Sequence, residues 1–189
     1  PQAYWEWFHE IYRPVEPNGA HRALAALEAS GHLDAVITQN IDGLHQRAGS
    51  RAVWELHGNW ERLVCTDCGA VTALADAVTI DGDPVPACPS CASQMRPDIV
   101  MYGEGLDQGV IEAAVTAISR ASVLIVAGTS LVVYPAAGLI DYFSGDHLVL
   151  INATPTSADA HADLIIREPV ARTFDQVMEE LRARGVVPA

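Results

Sequence analysis

The chain has 189 residues, 24 acidic and 11 basic, for a formal net charge of −13. Half of its residues are hydrophobic, which excludes a disordered tail or linker, and a chain of this length buries enough surface to hold a core without disulfide staples. The acidic balance argues against tight binding to a nucleic-acid backbone, where affinity comes from neutralising phosphates with Lys and Arg; all 11 basic residues are arginine.

The aromatic stretch at 3–12 predicts a short helix closed by Pro14 and Pro17. Asn18 is suited to cap a second helix, GAHRALAALEAS, whose apolar residues recur at Ala23, Leu24 and Leu27 and which stops at Gly31. DAVIT (34–38) reads as a short buried strand and AVWEL as another. Between Leu56 and Pro97 the texture changes: all four cysteines lie here, among Gly, Pro and Asp, as expected of a small inserted module. Beyond it, SVLIVAG (122–128), HLVLIN (147–152) and ADLII (162–166) are apolar runs without alternation, which predicts parallel strands covered on both faces. Helical segments near 107–120, 135–143 and 170–184 separate them. Strand–helix–strand alternation of this kind predicts an α/β fold with a doubly wound parallel sheet, binding its ligands beyond the carboxyl ends of the strands.

Cys65-Thr-Asp-Cys68 and Cys88-Pro-Ser-Cys91 have the spacing of a four-cysteine zinc site. Four thiolates leave no position for water, so one Zn²⁺ held there is structural. Two disulfides or a redox dithiol pair are poorer readings. The chain contains no run of 18 apolar residues and no signal-like N-terminus, so a reducing cytoplasmic location is expected.

The loop after DAVIT carries Gln39, Asn40, Ile41 and Asp42, polar groups where such a sheet places its ligand. Asn, Asp and Gly are also ordinary turn residues, and the segment by itself favours neither reading. Gly128-Thr129-Ser130 and Asn152 follow two further apolar strands, and three such clusters suggest one crevice for a polar, nucleotide-like ligand. His57 follows AVWEL and precedes a glycine; an imidazole there suits general-base work, although position alone does not single it out among seven histidines.

Taken together, ITQNIDGLHQRAG (37–49), ELHG (55–58), the two cysteine knuckles, RPDIVMYGE (96–104), GTSLVVYPAA (128–137) and IN (151–152) resemble, in order and spacing, the sirtuin family of NAD-dependent protein deacylases. The resemblance covers most of the chain. It implies a Rossmann-like NAD-binding domain (1–57 and 98–189) with an inserted zinc-ribbon module (58–97), residues 1–16 forming a helical part of the smaller domain. It implies that Gln39, Asn40, Ile41 and Asp42 line the nicotinamide and its ribose. Gly128, Thr129, Ser130 and Asn152 would contact the adenosine half, and Val170 the adenine. Val100, Met101, Tyr102 and Val133 would sandwich an acyl-lysine peptide as an added strand. His57 would act as general base on a ribose hydroxyl, with Asn40 and Asp42 positioning the groups that part, giving nicotinamide, free lysine and O-acyl-ADP-ribose.

Two departures from the family pattern carry expectations. Sirtuins open on a Gly-rich strand–turn–helix that wraps the pyrophosphate; nothing of that kind stands before Gln39, so that segment is expected to be missing ahead of Pro1, and NAD binding to weaken without it. A Tyr-x-x-Arg pair that receives acidic acyl groups is replaced by the aromatic stretch Tyr4–Phe8, which favours acetyl or a larger apolar group, while core packing is the plain alternative for these rings. Protein ADP-ribosyl transfer on the same fold, and a non-catalytic zinc-stabilised binding module, are the competing functions. The expected partners are acylated-lysine proteins or peptides, with neither a membrane nor nucleic acid.

Overall fold

The computed structural model describes residues 2–11, 15–79 and 85–188. In chain order these form α1 (Gln2–Ile11), α2 (Gly19–Ala29), β1 (Val36–Thr38), α3 (Leu44–Ala48), β2 (Val53–Glu55), β3 (Gly58–Cys65), β4 (Val71–Ala73), β5 (Val78–Thr79), β6 (Pro86–Ala87), β7 (Met95–Ile99), α4 (Gln108–Arg120), β8 (Val123–Ala127), β9 (His147–Ile151), β10 (Leu164–Ile166) and α5 (Val170–Ala183), with short 3₁₀ turns between several of them. They divide into two compact units, one of residues 1–16, 40–43 and 57–105, the other of residues 17–39, 44–56 and 106–189. The smaller unit thus takes in more than the cysteine-bearing 58–97, because β3 and β7 pair along their whole length, from Gly58 with Ile99 to Cys65 with Met95.

The larger unit is built on parallel strands. β8, β9 and β10 form one sheet in the order β10-β9-β8, and β1 pairs with β2, Val36 opposite Val53 and Thr38 opposite Glu55. α2 and α5 cover one face of the three-stranded sheet through Ala20, Ala23, Leu27, Phe174 and Met178, packed with Ile151, Val149, Ala127 and Ile166. On the other face Leu124, Val126, Leu148 and Leu150 meet Leu131, Ala137 and Phe143. α4 packs its buried Ala114 and Ile118 on the 3₁₀ segment Ala136–Tyr142. Asn18 caps α2 as expected: its Oδ1 accepts from Ala20 N and His21 N, and Asn18 N donates back to His21 Nδ1.

Three expectations from the sequence are corrected. The strands are shorter than their apolar runs, and Val123 (49% exposed), Ile125 (42%), Leu164 and Ile165 are not covered. α2 and α5 pack on Ala127, Val149, Ile151 and Ile166, while Val123, Ile125 and Leu164 stay exposed, so β8 and β10 are only partly covered. The helix expected over 135–143 is a 3₁₀ stretch, held by bonds three residues apart such as Phe143 N to Ile140 O.

The smaller unit is antiparallel, with sheet order β4-β3-β7 and a separate β5-β6 pair. β3 bulges between Asn59 and Leu63, and Arg62 closes the bulge with an ion pair to Asp98 at 3.0 Å. The aromatics of α1 supply its core: Trp5 and Phe8 are buried against Leu63, Cys65, Val85, Cys88 and Met95, with their rings edge to face at 5.3 Å. The core reading of this stretch therefore holds for Trp5 and Phe8, while Trp7 is exposed. The expected end of the first helix at Pro14 lies outside the described residues.

Candidate active site and metal centre

The two cysteine knuckles are built alike. In the first, Cys65 N donates to Ala70 O and Gly69 N to Cys65 O; in the second, Cys88 N donates to Ser93 O and Ala92 N to Cys88 O. Both chains turn through a left-handed residue at the fourth position after the leading cysteine, Gly69 at φ +70° and Ala92 at φ +63°. Ser93 Oγ donates to Asp67 across the two knuckles at 2.6 Å. The result brings four sulfurs within 4.8 Å of one another, with Cys65 Sγ 3.5 Å from Cys91 Sγ and Cys68 Sγ 3.6 Å from Cys88 Sγ. Those separations are far beyond a disulfide bond, and all four cysteines are free. A tetrahedron with Zn–S bonds of about 2.3 Å has edges of about 3.8 Å, so the donor set fits one Zn²⁺.

Proton sharing among these thiols makes the same point. The Ala70 backbone amide draws Cys68 down, but hydrogen bonding with Cys91, Cys65 and Cys88 pushes it up to about 12. At Cys91 the Ser93 backbone holds the thiol below its ordinary value. Four thiols crowded together cannot all ionise unless a cation replaces their protons.

In the smaller unit the other candidate residues gather at the first turn of β3. His57, half-buried, immediately precedes the strand, and its carbonyl accepts from Val100 N at 3.0 Å. Trp60 N donates to Ile41 O at 3.0 Å, which fastens the Asn40–Gly43 segment to the same strand. Asn40 Nδ2 lies 3.4 Å from Asp42 Oδ2. Gly43, at φ +67°, leaves room for the side chains of Glu61 and Asn59. Asn40, Ile41, Asp42, His57 and Val100 are therefore held by one strand, with Met101 and Tyr102 exposed just beyond it. Gln39 belongs to the other unit, at the end of β1, where Thr38 O accepts from Leu56 N.

In the larger unit, the carboxyl ends of β8, β9 and β10 bring Gly128, Thr129, Asn152 and Val170 together. Gly128 N donates to Ile151 O, Asn152 N to Ile166 O, and a Cβ placed on Gly128 would lie 3.8 Å from Val170 Cγ2. Thr129 Oγ1 accepts from Leu131 N, and Asn152 Nδ2 donates to Thr154 O. Ser130 and Val133 are exposed on the following loop. A glycine at positive φ, two hydroxyls and an amide at strand ends suit the hydroxyl-rich half of a dinucleotide, so the residues present fit NAD.

Reading the sequence alone missed three side chains in these places. Arg167 donates to both Asn152 O and Thr154 O and pairs with Asp159, fixing the loop after β9. Arg96 and Glu104 bracket the 100–102 segment in a bidentate pair. An arginine placed directly after the apolar run ADLII was the available signal for Arg167.

Residues 1–135 match the Sir2 family. The chain belongs to that family. It is 47% identical over 177 residues, 93% of this chain and 72% of the relative, to an NAD-dependent protein deacetylase of Clostridium acetobutylicum. A solved Sir2–p53 peptide–NAD⁺ structure is 44% identical and superposes with a TM-score of 0.86, covering 95% of this chain and 78% of that one. A Sir2 structure bound to acetylated peptide gives a TM-score of 0.87 at the same identity and coverage. As a Sir2 family member the chain carries the α/β, Rossmann-like fold with four cysteines clustered to bind zinc.

Proposed function

We propose that this Sir2 family chain removes acetyl groups from protein lysine side chains at the expense of NAD, with His57 as the general base. What carries the reading is His57, its main chain bonded to Val100 at the β3–β7 junction, in a chain 47% identical to an NAD-dependent protein deacetylase.

NAD, when bound, supplies an activated ribose carbon that accepts the acyl oxygen as nicotinamide departs. The chain supplies binding, orientation and proton transfer around that event. Thr129, Ser130 and Asn152 offer hydroxyl and amide groups to the adenosine ribose, with Gly128 allowing close approach and Val170 flanking the adenine. Gln39, Asn40 and Asp42 would line the nicotinamide ribose, and Ile41 and Asp42 would hold the carboxamide. His57 would take a proton from a ribose hydroxyl so that its oxygen could attack the acyl carbon, and the lysine would leave as an amine. Water completes the balance, giving free lysine, nicotinamide and O-acetyl-ADP-ribose.

Val100, Met101, Tyr102 and Val133 would offer main-chain groups to a substrate peptide, so affinity would come from strand-like pairing with little demand on sequence. The net charge of −13 draws in basic, lysine-bearing peptides. Among the described residues no helix is long and apolar enough to cross a membrane. The zinc holds the smaller unit together and takes no part in the chemistry, because four thiolates fill its coordination.

Incubating the protein with NAD and an acetyl-lysine peptide tests the reading. Nicotinamide released one-for-one with free lysine is the expected result; no NAD consumption with any acyl peptide would overturn it.

A further inference from the structure

The 99–104 segment leaves β7 and returns with almost nothing buried: Met101, Tyr102, Gly103 and Glu104 are all exposed, Tyr102 fully so. Apolar packing therefore does not fix its shape. Its polar contacts converge on two side chains. Arg96, on β7, donates from Nη1 to Glu104 Oε1 at 2.6 Å and from Nη2 to Glu104 Oε2 at 2.8 Å, and Nη2 also donates to Ile99 O at 2.9 Å. Glu104 Oε2 in turn accepts from Met101 N at 2.9 Å, and Glu104 N donates to Met101 O. Val100 N donates to His57 O. Each charged partner thus holds main chain as well as the other, a two-pronged pairing with defined geometry. Tyr4 and Asp98 are the other titratable groups that interact with Arg96, and Asp98 is itself paired to Arg62.

We propose that Arg96 and Glu104 are positioning residues that clamp the 100–102 main chain, and the turn that follows it, in the shape that receives a substrate peptide. This rests on the reading of 100–102 as the peptide-docking strand. A flexible segment would have to be ordered each time peptide bound, and the clamp meets that cost in advance. Both side chains are 40% exposed, so the pair's effect falls on peptide binding more than on folding.

The test uses Glu104→Gln and Arg96→Lys in the full, zinc-loaded chain. Each is expected to raise the KM and the Kd for an acetyl-lysine peptide about tenfold, with the KM for NAD within twofold of wild type, as befits the loss of one charged hydrogen-bonding arrangement. One zinc per chain and a single cooperative melting transition show that the fold is intact. The double exchange R96E/E104R is expected to give no rescue, since Arg at 104 cannot accept from Met101 N and Glu at 96 cannot donate to Ile99 O. An unchanged peptide KM, rescue by the exchange, or a KM change that follows zinc loss in both variants overturns the clamp. Hydrogen exchange of amides 99–104 in the wild type separates the two readings. If peptide leaves them unprotected, the docking strand itself is lost; if peptide protects them while both variants bind normally, only the clamp is.

Discussion

Gly58 packs so tightly against Asp98 that a Cβ at position 58 would overlap the Asp98 carbonyl oxygen and stand 2.9 Å from its carbonyl carbon. Its φ of +76° adds backbone strain for any other residue. Because Gly58 directly follows His57, this close approach sets where the His57 main chain stands. Gly58→Ala is expected to destabilise the smaller unit by about 2–4 kcal/mol, from overlap and strain together, and to cut deacetylation at least as far. Thermal unfolding combined with turnover checks it. A stable variant of normal activity would show that the junction has slack.

Gly69 and Ala92 occupy equivalent left-handed positions in the two knuckles, but only one of them is glycine. An L-residue pays about 1–2 kcal/mol there, and glycine gives back about half of that in chain entropy. Ala92→Gly is therefore expected to stabilise the zinc-loaded protein by about 0.5–1 kcal/mol, and Gly69→Ala to destabilise it by a similar amount. Chemical denaturation at fixed free zinc measures both.

Zinc is what allows four thiolates to sit together, so stripping it should cost the smaller unit its order. A strong chelator is expected to expose the amides of β3 and β7 to exchange while those of β8 and β9 keep their protection, and Cys65→Ser should do the same without chelator. One zinc per chain by metal analysis is the accompanying result.

The hydrogen bonds from Arg96, then the Met101 amide, hold Glu104 down at about 2, well below the ordinary glutamate value of about 4.3. A lowered acid pKa contributes stability that is present above the unfolded value and is lost as pH falls through the folded one. The difference in melting temperature between wild type and Glu104→Gln is thus expected to be constant above about pH 5 and to vanish between about pH 4.5 and 2. A difference that persists at pH 2 would contradict the assignment.

The parts of the fold that repeat a local rule were legible in the chain. Asn18 announces the start of α2, the apolar runs announce β8 and β9, and the Cys65–Cys91 spacing announces the metal centre. The bulge at Asn59–Leu63 and the exposure of Val123, Ile125 and Leu164 were not legible, because both depend on which elements pack where. Arg96 and Glu104 were quoted within RPDIVMYGE but looked like ordinary surface charges. Only their return across eight residues onto each other and onto the intervening main chain sets them apart.

The most direct test of the account is His57→Ala, assayed for lysine freed from an acetyl peptide at saturating NAD. The account predicts a loss of at least about a hundredfold, the scale of general-base assistance, in a protein that keeps one zinc and its melting temperature. Turnover near that of the wild type would contradict the assignment of His57 as the base.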